Sequence, residues 1–227
     1  MTSTSFLILF GILMIASYAA SKSVESRFKK YAKIPMNYGL TGRQVAEKML
    51  YDNDIHNVTI RMVNGTLTDH YNPVDRTLNL SPDVYNGTSV AAAAVAAHEC
   101  GHAVQHATAY SWLTLRSTLV PIVSFSNRWV SWVLLAGVLL VTKFPGLLLI
   151  GILLFAITTL FSFVTLPVEI NASRRALLWL NTHNITSPDT HPYAESALRS
   201  AAYTYVIAAL TSLATLCYYL LIYLDRR

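Results

Sequence analysis

Long uncharged stretches decide most of what this chain can become. Gly146 to Leu166 runs for 21 residues and Ala201 to Leu224 for 24 without a charged side chain, and a helix needs about 20 apolar residues to cross a bilayer. Phe6 to Ala20 is apolar apart from Ser17, and extending it from Thr4 to Ser21 brings it close to spanning length. Ser117 to Thr142 is interrupted by Ser126, Asn127 and Arg128, yet Lys143-Phe144-Pro145-Gly146 after it reads as a tight turn into the next run, so it counts as a span with Arg128 near the interface or facing the interior. Backbone groups in lipid have no water to bond, so such segments must be helices. The expected spans are about 4–21, 117–142, 146–166 and 201–224.

Charge sets their direction. Lys22, Arg27, Lys29, Lys30 and Lys33 follow the first run and no Lys or Arg precedes it, which fits a retained signal anchor with its amino terminus outside. Residues 22–116 and 168–200 then share one side. That side carries 13 of the 17 Lys and Arg, against Lys143, Arg226 and Arg227 opposite and Arg128 within a span, and is expected to face the cytoplasm. The net charge of +5 is thus a matter of topology, because the basic residues are too scattered for nucleic acid and no stacking motif accompanies them. With 227 residues, 53% hydrophobic and 13% charged, the chain has room for one membrane domain, residues 1–227. Cys100 and Cys217 form no CxxC and no disulfide framework, and Cys100 reads as a small packing residue.

Between the first two spans the sequence changes character. Thr41 can cap a helix to Leu50, with Val45, Ala46 and Met49 as its apolar stripe. Val58 to Val63 and Thr66 to Tyr71 are expected to form a hairpin across Asn64-Gly65, and Arg76 to Leu80 a third strand after Asn72-Pro73. The sheet is expected to be small and antiparallel, with the third strand as an edge open to an extended peptide. Thr88 or Ser89 then caps a long alanine-rich helix, Val90 to about Ala107.

That helix carries His98-Glu99-Cys100-Gly101-His102. Residues four apart on a helix project about 40° apart around the axis, so His98 and His102 can share one ion, while Glu99 lies about 100° from His98, able to address a water without ligating. The spacing points to Zn2+. A catalytic zinc usually takes three protein ligands, so one is missing here. His106 continues the face but stands about 12 Å along the axis from His98, too far for one ion, and reads as a supporting or structural residue. Glu169 is the better candidate, because the chain returns there to the same side of the membrane. Pro167 is expected to start the helix that carries it.

These residues resemble the YugP-like neutral zinc metallopeptidases, membrane proteins distantly related to the HtpX-type peptidases. The resemblance runs over most of the chain. It rests on the early apolar anchor, Leu67-Thr68-Asp69-His70-Tyr71-Asn72-Pro73, Leu80-Ser81-Pro82-Asp83-Val84-Tyr85-Asn86-Gly87, the segment from His98 to Gln105, and Pro167-Val168-Glu169 followed by Ala172-Ser173-Arg174-Arg175-Ala176. It implies one Zn2+ on His98, His102 and Glu169, with Glu99 as catalytic acid and base. The implied fold is an α+β integral membrane protein of a bacterial cell membrane, a zincin-like (gluzincin) core joined to about four transmembrane helices. HtpX-type relatives place an Asp four positions after the ligand Glu to orient a zinc-binding His. Here that position is Ser173, and the supporting role is left to Ser173, Asn171 or water. Thr190-His191-Pro192 faintly echoes another HtpX-type element, and His191 or Tyr193 could polarise a peptide oxyanion.

The expected activity is hydrolysis of peptide bonds in protein substrates by zinc-activated water, with Glu99 moving the proton. Two rivals differ in class. An intramembrane protease would typically take its third ligand from an Asp-Gly element, and no Asp-Gly occurs in this chain. A zinc-binding adaptor or quality-control scaffold without turnover is the second.

Overall fold

The computed structural model describes residues 3–225. Met1, Thr2 and the Arg226-Arg227 pair counted in the charge argument lie outside the described residues. In chain order the elements are α1 (Ser3–Tyr31), α2 (Gly42–Asp52), β1 (Thr59–Met62), β2 (His70–Asn72), β3 (Thr77–Leu80), α3 (Pro82–Tyr85), α4 (Val90–Ala107), α5 (Ser111–Leu139), α6 (Pro145–Thr182) and α7 (His191–Asp225). Among the described residues four helices are long and apolar enough to cross a membrane, those at Ile8–Tyr31, Ser111–Leu139, Pro145–Thr182 and His191–Asp225. The chain divides into two compact units.

One unit comprises Ala20–Leu113 and Pro167–Tyr203. Its α2 starts at a capping box, in which Gln44 N donates to Thr41 Oγ1 at 3.2 Å and Thr41 N donates to Gln44 Oε1 at 2.8 Å. Such reciprocal caps satisfy two backbone donors that the first turn would leave open. Val45, Ala46 and Met49 bury their side chains, and α2 packs against α4. Ser89 caps α4 by accepting from Ala92 N at 3.2 Å. Ala91, Ala92, Ala93, Ala94, Ala96 and Ala97 are wholly buried, so α4 is the central helix of this unit. Cys100 is buried with its thiol toward the Ala46 carbonyl.

The sheet corrects the antiparallel expectation. Its order is β1-β3-β2, with β1 parallel and β2 antiparallel to β3. Asn64-Gly65 therefore closes no hairpin between neighbours. The tight turn is at Asn72, whose side-chain Oδ1 accepts from Val74 N at 2.9 Å and folds β2 back onto β3. Nor is β3 an edge: all four of its residues are buried. Its polar members satisfy each other, since Asn79 Nδ2 donates to Thr77 Oγ1 at 3.0 Å, and alternation of polar residues thus mimicked a solvent face. The outer strands are β1 and β2.

The second unit consists of the described chain up to Ala19, Thr114–Leu166 and the chain from Thr204 onward. Val130, Leu134, Val141, Leu148 and Ile152 form its packed centre, joined by Leu216, Tyr219, Ile222 and Tyr223. A methyl on Gly137 would stand 2.6 Å from the Leu148 Cα, so α5 and α6 approach as closely as their backbones allow. Thr159 and Ser212 share a hydrogen bond of 2.8 Å between helices. Large apolar side chains such as Ile15, Trp132, Leu139 and Leu153 face outward, as lipid contact requires.

Pro167 does not start a helix. It lies inside α6, and Glu169 is mid-helix rather than in a first turn. A proline removes one backbone donor and does not by itself terminate a helix that tertiary packing holds on both sides.

Candidate metal centre

His98 and His102 stand one turn apart on α4, their rings 4.8 Å apart and nearly perpendicular. Glu169 reaches them from α6, with Oε2 at 3.3 Å from His98 Nε2 and 3.6 Å from His102 Nε2. One donor atom from each residue lies within 4.8 Å of the others. An ion about 2.1 Å from each ligand in tetrahedral geometry needs donors roughly 3.4 Å apart, so the spacing suits zinc. The two helices come this close because of Gly101. A methyl group there would sit 2.6 Å from the Ala172 carbonyl oxygen.

The hydrogen bonds behind the histidines select the tautomer a metal requires. Val168 O can only accept, so Gln105 must turn its Nε2 toward it, at 2.8 Å; the same nitrogen donates to Asn171 Oδ1 at 3.0 Å. Gln105 Oε1 is thereby left facing His102 Nδ1 at 3.0 Å, which must carry the proton. With an ion in the site, Nε2 would be the nitrogen that turns its lone pair to it. His98 Nδ1 lies 3.1 Å from Ser173 Oγ. Asn171 accepts from Gln105 and, at 2.8 Å, from Arg175 Nε, bracing α6 rather than a histidine directly.

Electrostatics points the same way. Burial opposes a charge on His102, but hydrogen bonding to Glu169 and the charges of Glu99 and Glu169 outweigh it and raise its pKa. A pocket that draws a proton onto a buried imidazole is one that favours a cation. Glu99 is 8% exposed and takes no part in the donor cluster. Its Oε2 accepts from the backbone N–H of Tyr71 in β2 at 3.0 Å. Asp69, just before β2, accepts from Ser81 N at 2.7 Å and Ser81 Oγ at 3.0 Å. Burial raises the Asp69 pKa, the Ser81 bonds oppose the rise, and the charge of Glu99 adds to it.

The structure brings His98, His102, Glu169, Glu99, Ser173 and Asn171 to one place. His106 is tied instead to the Tyr71 phenol at 2.8 Å. His191 Nδ1 meets Thr186 Oγ1 at 2.9 Å, and Tyr193 packs on Tyr31 with ring centroids 5.3 Å apart. Both belong to local contacts around the start of α7, and neither is in the donor cluster. Sequence reasoning did not single out Gln105, Gly101 or the Tyr71 backbone. The first had a signal, an uncharged polar residue three positions after a ligand His on an apolar helix; a backbone N–H has none.

Among the described residues, the donor cluster is compatible with zinc and four helices are long and apolar enough to cross a membrane. The family described as "Putative neutral zinc metallopeptidase" matches residues 6–224, and the chain belongs to it. It is 40% identical over 223 residues to a protein of Bacillus subtilis (strain 168) named "Putative membrane protease YugP", an alignment covering 96% of this chain and 98% of that relative. The resemblance read from the sequence is thereby borne out. No solved structure matches the chain.

Proposed function

We propose that the chain is a membrane-bound zinc endopeptidase in which His98, His102 and Glu169 hold one Zn2+ and Glu99 is the general base and acid. The observation that carries this reading is the convergence of Glu169 with both histidines, while Glu99 is held beside them by a separate hydrogen bond. The family description and the relative's name support the same reading. When bound, zinc lowers the pKa of a water to near 7 and polarises a substrate carbonyl. Glu99 would take a proton from the water as its oxygen adds to the carbonyl carbon, and would deliver it to the amine nitrogen as the C–N bond breaks. Gln105 and Ser173 would hold the two imidazoles turned toward the ion.

Tyr71 turns its N–H toward Glu99, so β2 borders the site. The topology proposed with this reading has spans near 4–21, 117–142, 146–166 and 201–224, with 22–116 and 168–200 on the cytoplasmic side.

The test is zinc analysis with casein hydrolysis. Glu99→Gln should keep about one zinc per chain and lose hydrolysis by a factor of at least about 10², whereas His98→Ala should lose both. Full cleavage by Glu99→Gln sinks the mechanism. Zinc binding by the wild type without any hydrolysis supports a non-catalytic scaffold instead.

A further inference from the structure

Strand β2 is fixed to α4 at two points, and both belong to Tyr71. Its backbone N–H donates to Glu99 Oε2 at 3.0 Å, and its phenol meets His106 Nδ1 at 2.8 Å. Glu99 and His106 are separated by seven positions, close to two helical turns, so they project from one face of α4. The strand lies across that face. His106 is exposed, and the pair borders an open cavity of about 320 Å³ that Asp54, Asn57 and Arg76 also line.

A glutamate that must receive a proton and pass it on needs its carboxylate held within a fraction of an ångström. Among the described residues, the Tyr71 N–H is the hydrogen-bond partner of the Glu99 carboxylate. A backbone donor is only as well placed as the strand that carries it. β2 is three residues long and, among the described residues, pairs on one side only, with β3. Its other side is secured by the phenol–imidazole bond, which ties the strand to the helix bearing Glu99.

We propose that Tyr71 and His106 are positioning residues: their side-chain bond holds β2 against α4 and thereby aims the Glu99 carboxylate for proton transfer. The proposal rests on the peptidase reading. It gives His106 a task that metal ligation does not, and it explains why the Tyr71 side chain turns along α4.

The test uses the full-length, zinc-loaded chain in detergent, with a fluorogenic peptide as substrate. Tyr71→Phe and His106→Ala should each lower kcat by about tenfold and leave KM within about twofold, with zinc content and thermal midpoint unchanged. Because one bond is removed either way, the double variant should be no slower than the slower single variant. His106→Gln, whose amide can still bond a phenol, should recover most of kcat. A pair that only supports the fold would lower the thermal midpoint or zinc content and spare kcat per loaded molecule. Wild-type kcat in Tyr71→Phe, additive losses, or a change confined to KM overturns the proposal. Should Tyr71→Phe fail to fold, His106→Ala at its exposed position carries the same comparison. The two readings fail separately: turnover by Glu99→Gln removes the peptidase reading, whereas an inactive Glu99→Gln beside a fully active Tyr71→Phe removes only the clamp.

Discussion

The two imidazoles of the centre are supported unequally. His102 leans on Gln105, a wholly buried amide that is itself anchored to Val168 and Asn171 of α6. His98 has a single hydroxyl, Ser173, whose oxygen can rotate. Loss of a group behind a metal-binding His typically weakens the metal by about 10- to 100-fold. Ser173→Ala should therefore reduce zinc affinity by about tenfold, and Gln105→Ala by closer to about 100-fold, as read by competition with a chelator of known strength. Equal losses would mean that the amide's two anchors on α6 add nothing to His102.

At the scale of elements, the centre depends on how closely α4 and α6 can approach. Gly101 has no room for a Cβ against the Ala172 carbonyl, and the obstruction is backbone, which cannot swing aside. Gly101→Ala should cost about 1–3 kcal/mol of stability and reduce bound zinc, because α6 must retreat and take Glu169 with it. A variant of unchanged thermal midpoint and full zinc occupancy would contradict this. Much of this architecture was legible beforehand. The cap at Thr41, the apolar stripe of α2 and the extent of α4 follow from side-chain chemistry within a few residues of one another, and the expected return of the chain after two apolar runs pointed to Glu169, which the structure places beside His98 and His102. The sheet was not, because parallel pairing of β1 with β3 is decided by contacts remote in sequence, and a buried Thr77–Asn79 pair has the same letters as an exposed one. Pro167 misled for a related reason: its local preference to begin a helix was overridden by α6 as a whole.

The whole molecule sorts its chemistry by unit. Every residue of the donor cluster lies within Ala20–Leu113 or Pro167–Tyr203, while the intervening Thr114–Leu166 belongs to the apolar unit. The proposed four-span topology makes a sided prediction. In a chain carrying Cys217→Ser, Lys143→Cys should react with a membrane-impermeant thiol reagent in intact cells, and Asn184→Cys only after the membrane is opened. Reaction at both positions in intact cells would overturn it. The order of the ligands along the chain also has a consequence for biosynthesis. Translation delivers His98, Glu99 and His102 well before Glu169, and the segment between them holds the two proposed spans that must enter the bilayer first. Under the proposed reading, a nascent chain carries Glu99 and two of the three donors before Glu169 is made, so the metal site would be complete only once both intervening spans have been synthesised.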